Sequence, residues 1–194
     1  AGVSSGASAG AAFAIVAVSA SAPFISICAF AGGLIALSIT LLTAYAVPGK
    51  NRYTIILTGI AIHSVAQTIL MFLKLAADPE KQLASIEYWI MGSLNGISIY
   101  SIGSNVILCA ICLLIIFLLY RQIIMLSLDD ADGKMLGVNV NHIRMLVLLI
   151  ATLATSSVIS MTGLISFISL LAPHGARMLL KNNRLSTMLL SGLI

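Results

Sequence analysis

Residues 53–76 read YTIILTGIAIHSVAQTILMFLKLA, and the single charge in these 24 positions is Lys74, close to the end. A helix of about 20 residues crosses a hydrocarbon layer of roughly 30 Å. Inside that layer no water satisfies a backbone N–H or C=O, so a lone apolar segment crosses it only as a helix, which closes those bonds on itself. The stretch therefore predicts a transmembrane α-helix from Tyr53 to Ala76.

Similar runs lie on both sides. The expected spans are Ala7 to Ser21, Phe24 to Val47, Tyr53 to Ala76, Ser98 to Tyr120, Met145 to Met161 and Gly163 to Leu180, with a further one beginning after Arg184. Pro23, Pro48 with Gly49, Asp78 with Pro79, and Thr162 with Gly163 separate them, because neither residue type carries a helix onward well. The fold class expected is all-α: a polytopic transmembrane helical bundle forming a single domain over 1–194, incomplete at both ends. Composition agrees. The chain is 60% hydrophobic and 8% charged, where soluble domains carry about 25% charged residues, and its mean hydropathy is +1.11. Lipid is the expected solvent for most of its surface. The chain opens at Ala1 without a methionine or a basic leader and stops within a new apolar run, so it reads as an internal piece.

The net charge of +4 arises from Lys and Arg scattered between the spans. They form no basic stripe interleaved with aromatics, which argues against nucleic acid as a partner. Their distribution sets the orientation instead, since basic residues are retained in the cytoplasm. Lys50, Arg52, Arg121, Lys134, Arg144, Arg177, Lys181 and Arg184 share one side, against Lys74 and Lys81 on the other. The first group is placed inside. The connection from Asp78 to Ile97 then faces outward with Glu80, Glu87, Tyr88 and Trp89. Its part from Leu83 to Met91 is expected to be a short helix near the headgroup belt that Trp and Tyr favour.

Small residues recur at helical spacing in Gly2, Gly6 and Gly10, and again in Ala29 and Gly33. Missing side chains on one face let a neighbouring backbone approach closely, so a tightly packed bundle is expected.

Polar residues inside spans are the candidates for function. His63 and Gln67 are one helical turn apart, with Thr58, Ser64 and Thr68 nearby. Groups at such depth face the protein interior or a water-filled path. Lining of a translocation pathway by His63, Gln67 and Thr68 and plain interhelical hydrogen bonding both fit this pattern. Thr152, Thr155, Ser156 and Ser160 form a second stripe, read as glue because Ser and Thr bond to their own helix backbone.

Catalytic and cofactor chemistry is not indicated. His63, His142 and His174 sit in separate segments, with no H-E-x-x-H and no G-x-S-x-G. Cys109 and Cys112 form a C-x-x-C inside an apolar run, where thiols act as small hydrophobes, as does Cys28. Gly49-Lys50 and Gly133-Lys134 lack the surrounding residues of a phosphate loop. No metal, cofactor or catalytic residue is expected, and any ATP hydrolysis belongs to another chain.

The inward connection from Arg121 to Arg144 reads as a short helix. Ser127 with Asp130 resembles a capping box, Asp129 and Asp130 suit the positive end, Lys134 the negative end, and Gly137 a stop. Leu128, Met135 and Leu136 are available for burial, and a second turn starts near Asn141. Such a helix serves as an interfacial connector or as a docking element that inserts its apolar residues into a partner.

Taken in order, several stretches resemble the permeases of the iron-siderophore, haem and cobalamin importers, the type II ATP-binding-cassette import systems. They are Gly2-Val3-Ser4-Ser5-Gly6-Ala7, Tyr88-Trp89-Ile90-Met91-Gly92-Ser93-Leu94, Leu136-Gly137-Val138-Asn139-Val140, Gly163-Leu164-Ile165-Ser166-Phe167 and Ala172-Pro173-His174-Gly175-Ala176-Arg177. Leu164, Ser166 and Ser169 stand where that family usually has Pro and two Gly, and Gly133 and Lys134 where it often has Ala-Arg.

The resemblance implies a permease of about ten helices, of which this chain is a part, in the plasma (inner) membrane of a bacterium. It implies a second permease copy, two cytoplasmic ATPase subunits and an extracytoplasmic substrate-binding protein as partners. The coupling helices would be residues 127–141, with Ser127, Leu128, Asp129, Asp130, Lys134, Leu136, Gly137 and Val138 meeting the ATPases. Pro173, His174 and Arg177 would close the cytoplasmic end of their span, as a structural tie first and a gate second. The competing class is an ion-gradient-driven secondary transporter, which needs a carboxylate within the membrane. Asp78, Glu80, Glu87, Asp129, Asp130 and Asp132 all fall in connections. A purely structural membrane scaffold is the third reading.

Overall fold

In the computed structural model, the described residues are 2–17, 21–46, 52–93, 99–125 and 140–164 in one compact unit, and 165, 171, 172, 174, 175 and 178 in a second. The first unit contains α1 (Val3–Ala17), α2 (Ala22–Ala46), α3 (Arg52–Ala76), α4 (Gln82–Met91), α5 (Ile99–Leu118), α6 (Tyr120–Met125) and α7 (Val140–Thr162). No strand occurs among the described residues.

Three stretches are long and apolar enough to cross a membrane: Ala22–Ala46, Thr54–Ala76 and Ile143–Thr162. Val3–Ala17 and Asn105–Leu118 are shorter apolar helices. Five of the expected spans therefore fall on helices, with shifted ends. α1 runs from Val3 to Ala17 rather than from Ala7 to Ser21. Its opening turn is helical because Gly2, at φ 76°, redirects the chain, and its carbonyl accepts both the Gly6 N–H and the Ser5 hydroxyl at 2.9 Å. After α5 the chain keeps helical bonding, Leu119 N–H to Ile115 O and Ile123 N–H to Leu119 O, both at 2.9 Å, and passes into α6. The helix expected to begin at Gly163 does not: residues 163–165 are non-helical. Of that expected span, positions 171, 172, 174, 175 and 178 are helical, and the others after 165 lie outside the described residues, as does the seventh span.

α1 is the hub, packing on α2, α3, α4 and α7. Glycine within a helix costs about 1 kcal/mol relative to alanine, and here close backbone approach offsets it. A Cβ on Gly6 would lie 2.5 Å from Ala36 Cβ and 2.6 Å from the Gly32 carbonyl oxygen; one on Gly10 would strike the Cys28 carbonyl oxygen. The expected close packing is present at all three glycines: Gly6 and Gly10 face Cys28, Gly32 and Ala36 of α2, whereas Gly2 faces Gly59, Ile62 and His63 of α3. Gly33 turns instead to α7, where an added Cβ would lie 2.5 Å from Ser156 Oγ. The seam is continued by Ala7, Ala11, Ala14 and Ile15 of α1 and Ala29 of α2, all buried, with Leu70 of α3 and Ile86 of α4 in the same cluster.

The surface is of the kind that lipid solvates. Leu42, Phe72, Leu75 and Leu118 are each at least 70% exposed, and in water such long apolar residues on helix after helix would drive aggregation. In the serine and threonine stripe of α7, Thr155 and Ser160 bond to their own helix, Ser156 has no hydrogen-bond partner, and the bond to a neighbouring helix comes from Ser157, beside the stripe. Thr155 Oγ1 donates to Ala151 O at 2.6 Å and Ser160 Oγ to Ser157 O at 2.8 Å, while Ser157 Oγ reaches Asn105 Oδ1 of α5 at 3.1 Å.

Candidate functional site

The expected short helix after the third span is α4. The turn leading to it is held by short-range polar contacts: Glu80 N–H to Asp78 Oδ1 and Asp78 N–H to Gln82 Oε1, both 3.0 Å. Lys74 near the end of α3 donates to Glu87 Oε1 of α4 at 2.8 Å. At its other end α4 is tied to α7 by a backbone bond: Ser93 N–H donates to Thr162 O at 2.8 Å. Gly92 and Gly163, at φ 71° and 70°, face each other there. A Cβ on Gly163 would meet the Trp89 carbonyl oxygen, so both the conformation and the space demand glycine. Asp78, Glu80 and Glu87 thus belong to the connection and to α4, not to a span.

α3 carries the candidate polar face. Gly59, Ala66 and Leu70 are buried toward the bundle, whereas His63, Ser64, Gln67 and Thr68 are exposed on this chain. The hydroxyls of Ser64 and Thr68 close on their own helix, donating to Ile60 O at 3.2 Å and Ser64 O at 3.0 Å. His63 and Gln67 retain unspent polar capacity. His63 Nδ1 stands 3.1 Å from Ser5 Oγ on α1. The start of α1 is wedged against the same turn of α3, for a Cβ on Gly2 would lie 3.3 Å from Gly59 O and 3.4 Å from His63 N.

Thus His63 makes an interhelical bond through one ring nitrogen and remains exposed, a combination that hydropathy alone does not reveal. A polar group on the outside of a membrane helix is costly against lipid. Its stable surroundings are another protein surface or water.

The sequence reading missed Ser5 as a partner, Gly32 as the facing glycine of α2 and the Lys74–Glu87 pair. Ser5 carried one usable signal: it lies one turn after Gly2, next to the glycine face of α1. Ser127, Leu128, Asp129, Asp130, Lys134, Leu136, Gly137 and Val138 lie outside the described residues, as do Pro173 and Arg177. His174 is helical and exposed in the second unit. Among the described residues no group of three or more His, Cys, Asp or Glu is placed to hold a metal. Cys109 is half-buried and Cys112 is 3% exposed; both are free thiols.

Apolar spans packed through glycine seams, with a polar stripe exposed on one of them, define a multi-pass helical membrane protein. Its family follows from comparison with known proteins: residues 1–194 match the model of the FecCD transport family, and the chain belongs to it. It is 30% identical over 181 residues to the cobalamin import system permease protein BtuC of Halobacterium salinarum, covering 91% of this chain and 47% of that one. It is 31% identical over 153 residues to the ferric enterobactin transport system permease protein FepG of Escherichia coli, covering 79% and 46%. A solved metal-chelate type ABC transporter in an inward-facing conformation superposes with a TM-score of 0.89 at 26% identity, covering 98% of this chain and 60% of that one. The chain spans about half the length of the relatives it matches.

Proposed function

We propose that this chain forms part of the permease subunit of an ATP-driven importer that carries iron chelates, or a related metal complex such as haem or cobalamin, across the plasma membrane of a bacterium. The permease works as a pair of copies, with two ATPase subunits on the cytoplasmic side and a substrate-binding protein outside. Residues 127–141 dock into the ATPases. ATP binding shifts the balance between two packings of the bundle, and the chelate advances without covalent change. Pro173, His174 and Arg177 stabilise the inner end of their span.

The observation that carries this reading is the exposed face of α3. His63, Gln67 and Thr68, with Ser64 between them, line the path, since the rest of the exposed α3 surface, including Ile56, Leu57, Val65, Ile69 and Phe72, is apolar and suited to lipid. Neutral and weakly polar groups let a bulky chelate slide without trapping it. The test is uptake of a labelled ferric chelate into vesicles holding the complete permease, its ATPase and its binding protein. Uptake should require both ATP and the binding protein. Uptake that persists without ATP and collapses with a proton or sodium ionophore would replace this reading by a secondary transporter.

A further inference from the structure

We propose that Ser5 is a positioning residue that holds the ring proton of His63 on Nδ1 and thereby presents Nε2 as a hydrogen-bond acceptor to passing cargo. The cargo part rests on the path reading of α3 given above. A serine hydroxyl has one proton to give and lone pairs with which to accept. Ser5 Oγ lies 2.9 Å from the Gly2 carbonyl oxygen, which can only accept, and 3.1 Å from His63 Nδ1. Both contacts are hydrogen bonds under one arrangement: Ser5 donates to Gly2, and His63 donates its Nδ1–H to Ser5.

The surroundings hold that arrangement in place. Ser5 is 2% exposed, so water does not compete for its hydroxyl. Gly2 packs against Gly59 and the His63 backbone, which fixes α1 and α3 at this level. In a neutral imidazole with the proton on one nitrogen, the other is an acceptor. Nε2 has no hydrogen-bond partner among the described residues. The same logic orients histidines elsewhere, where a bond at one nitrogen dictates what the other offers. The cargo favoured at this station carries hydrogen-bond donors, hydroxyl or amide N–H groups, on its periphery. A chelate whose periphery holds only carboxylates finds no partner at Nε2. Gln67, one turn along on the same exposed face, adds an amide that both donates and accepts.

The decisive measurement is ¹⁵N solid-state NMR of the complete permease in lipid vesicles, labelled at histidine, with His63 identified by its loss in His63→Gln. The wild-type protein should show a protonated Nδ1 and a bare Nε2. Ser5→Ala should move the tautomer ratio at least about threefold toward Nε2–H, the scale of one lost hydrogen bond. A wild-type ring protonated on Nε2, or a ratio that Ser5→Ala leaves unchanged, overturns the positioning role. The second arm compares uptake of a ferric chelate with free peripheral hydroxyls with that of ferric citrate, whose one hydroxyl is deprotonated and bound to the iron so that carboxylates form its periphery, in vesicles with ATPase and binding protein. Ser5→Ala should lower the first relative to the second by about three- to tenfold. If the tautomer moves as expected and relative uptake does not, Ser5 positions His63 but the path reading of α3 fails.

Discussion

Gly33 and Ser156 permit a test of the packing in which two substitutions cancel. Ser156 is fully buried on α7, and its hydroxyl has no hydrogen-bond partner. It points at the spot where a Cβ on Gly33 would stand, 2.5 Å away, so it now faces a Cα hydrogen of Gly33, a weak polar contact at most. Gly33→Ala places a methyl there, well inside the 3.4 Å at which ordinary contact begins. Either Ser156 turns to another rotamer or α2 and α7 separate slightly, and the cost expected is about 1–2 kcal/mol. Ser156→Ala alone removes a buried, unpaired hydroxyl and should be neutral or stabilising by up to about 1 kcal/mol. With both changes the new methyl finds the Cβ at position 156 and Val3 Cγ1 at 3.4 Å, both ordinary contacts, so the double variant should be as stable as Ser156→Ala alone. The coupling between the sites is then about 1–2 kcal/mol and favourable. Thermal unfolding in detergent, followed by reaction of a thiol dye with Cys28, Cys109 and Cys112, measures all four corners of the cycle. Additive effects, or a Gly33→Ala protein as stable as wild type, would refute the stated packing of α2 on α7.

The α1–α2 seam and an open glycine make a matched pair. Gly6→Ala should cost about 1–3 kcal/mol in the same assay, whereas Gly103→Ala, with nothing within 4 Å of its Cβ, should be neutral or stabilising by up to about 1 kcal/mol. Glu87→Gln removes the partner of Lys74 in a pair whose side chains are 23% and 50% exposed; the loss expected is under about 1 kcal/mol and shrinks with added salt. A loss of several kcal/mol there would mean that α4 depends on that ion pair and not on its backbone junction with α7. Charge reversal of Lys134 together with Leu136→Asp should abolish capture of the ATPase in detergent while leaving membrane insertion unchanged; normal capture would remove residues 127–141 from the docking role.

The amino-acid sequence by itself determined that this is a helical membrane protein, where most of the spans lie, and that α4 follows the third. The reason is local: in lipid a run of apolar residues has no backbone partner but its own next turn. It also singled out His63, Gln67 and the glycines at positions 2, 6 and 10, because helical spacing alone places them on faces. Helix ends were less legible. Backbone bonding of helical type carries on through the turn at Leu119 into α6, and Gly163 breaks the chain instead of starting a span, since the junction with Gly92 requires a positive φ. Tertiary structure alone decided that Gly32 faces α1 while its neighbour Gly33 faces α7, and that Ser5 meets a histidine 58 positions away. Such pairings depend on how finished helices fit sideways, and neither hydropathy nor helical period carries information about which helix stands opposite.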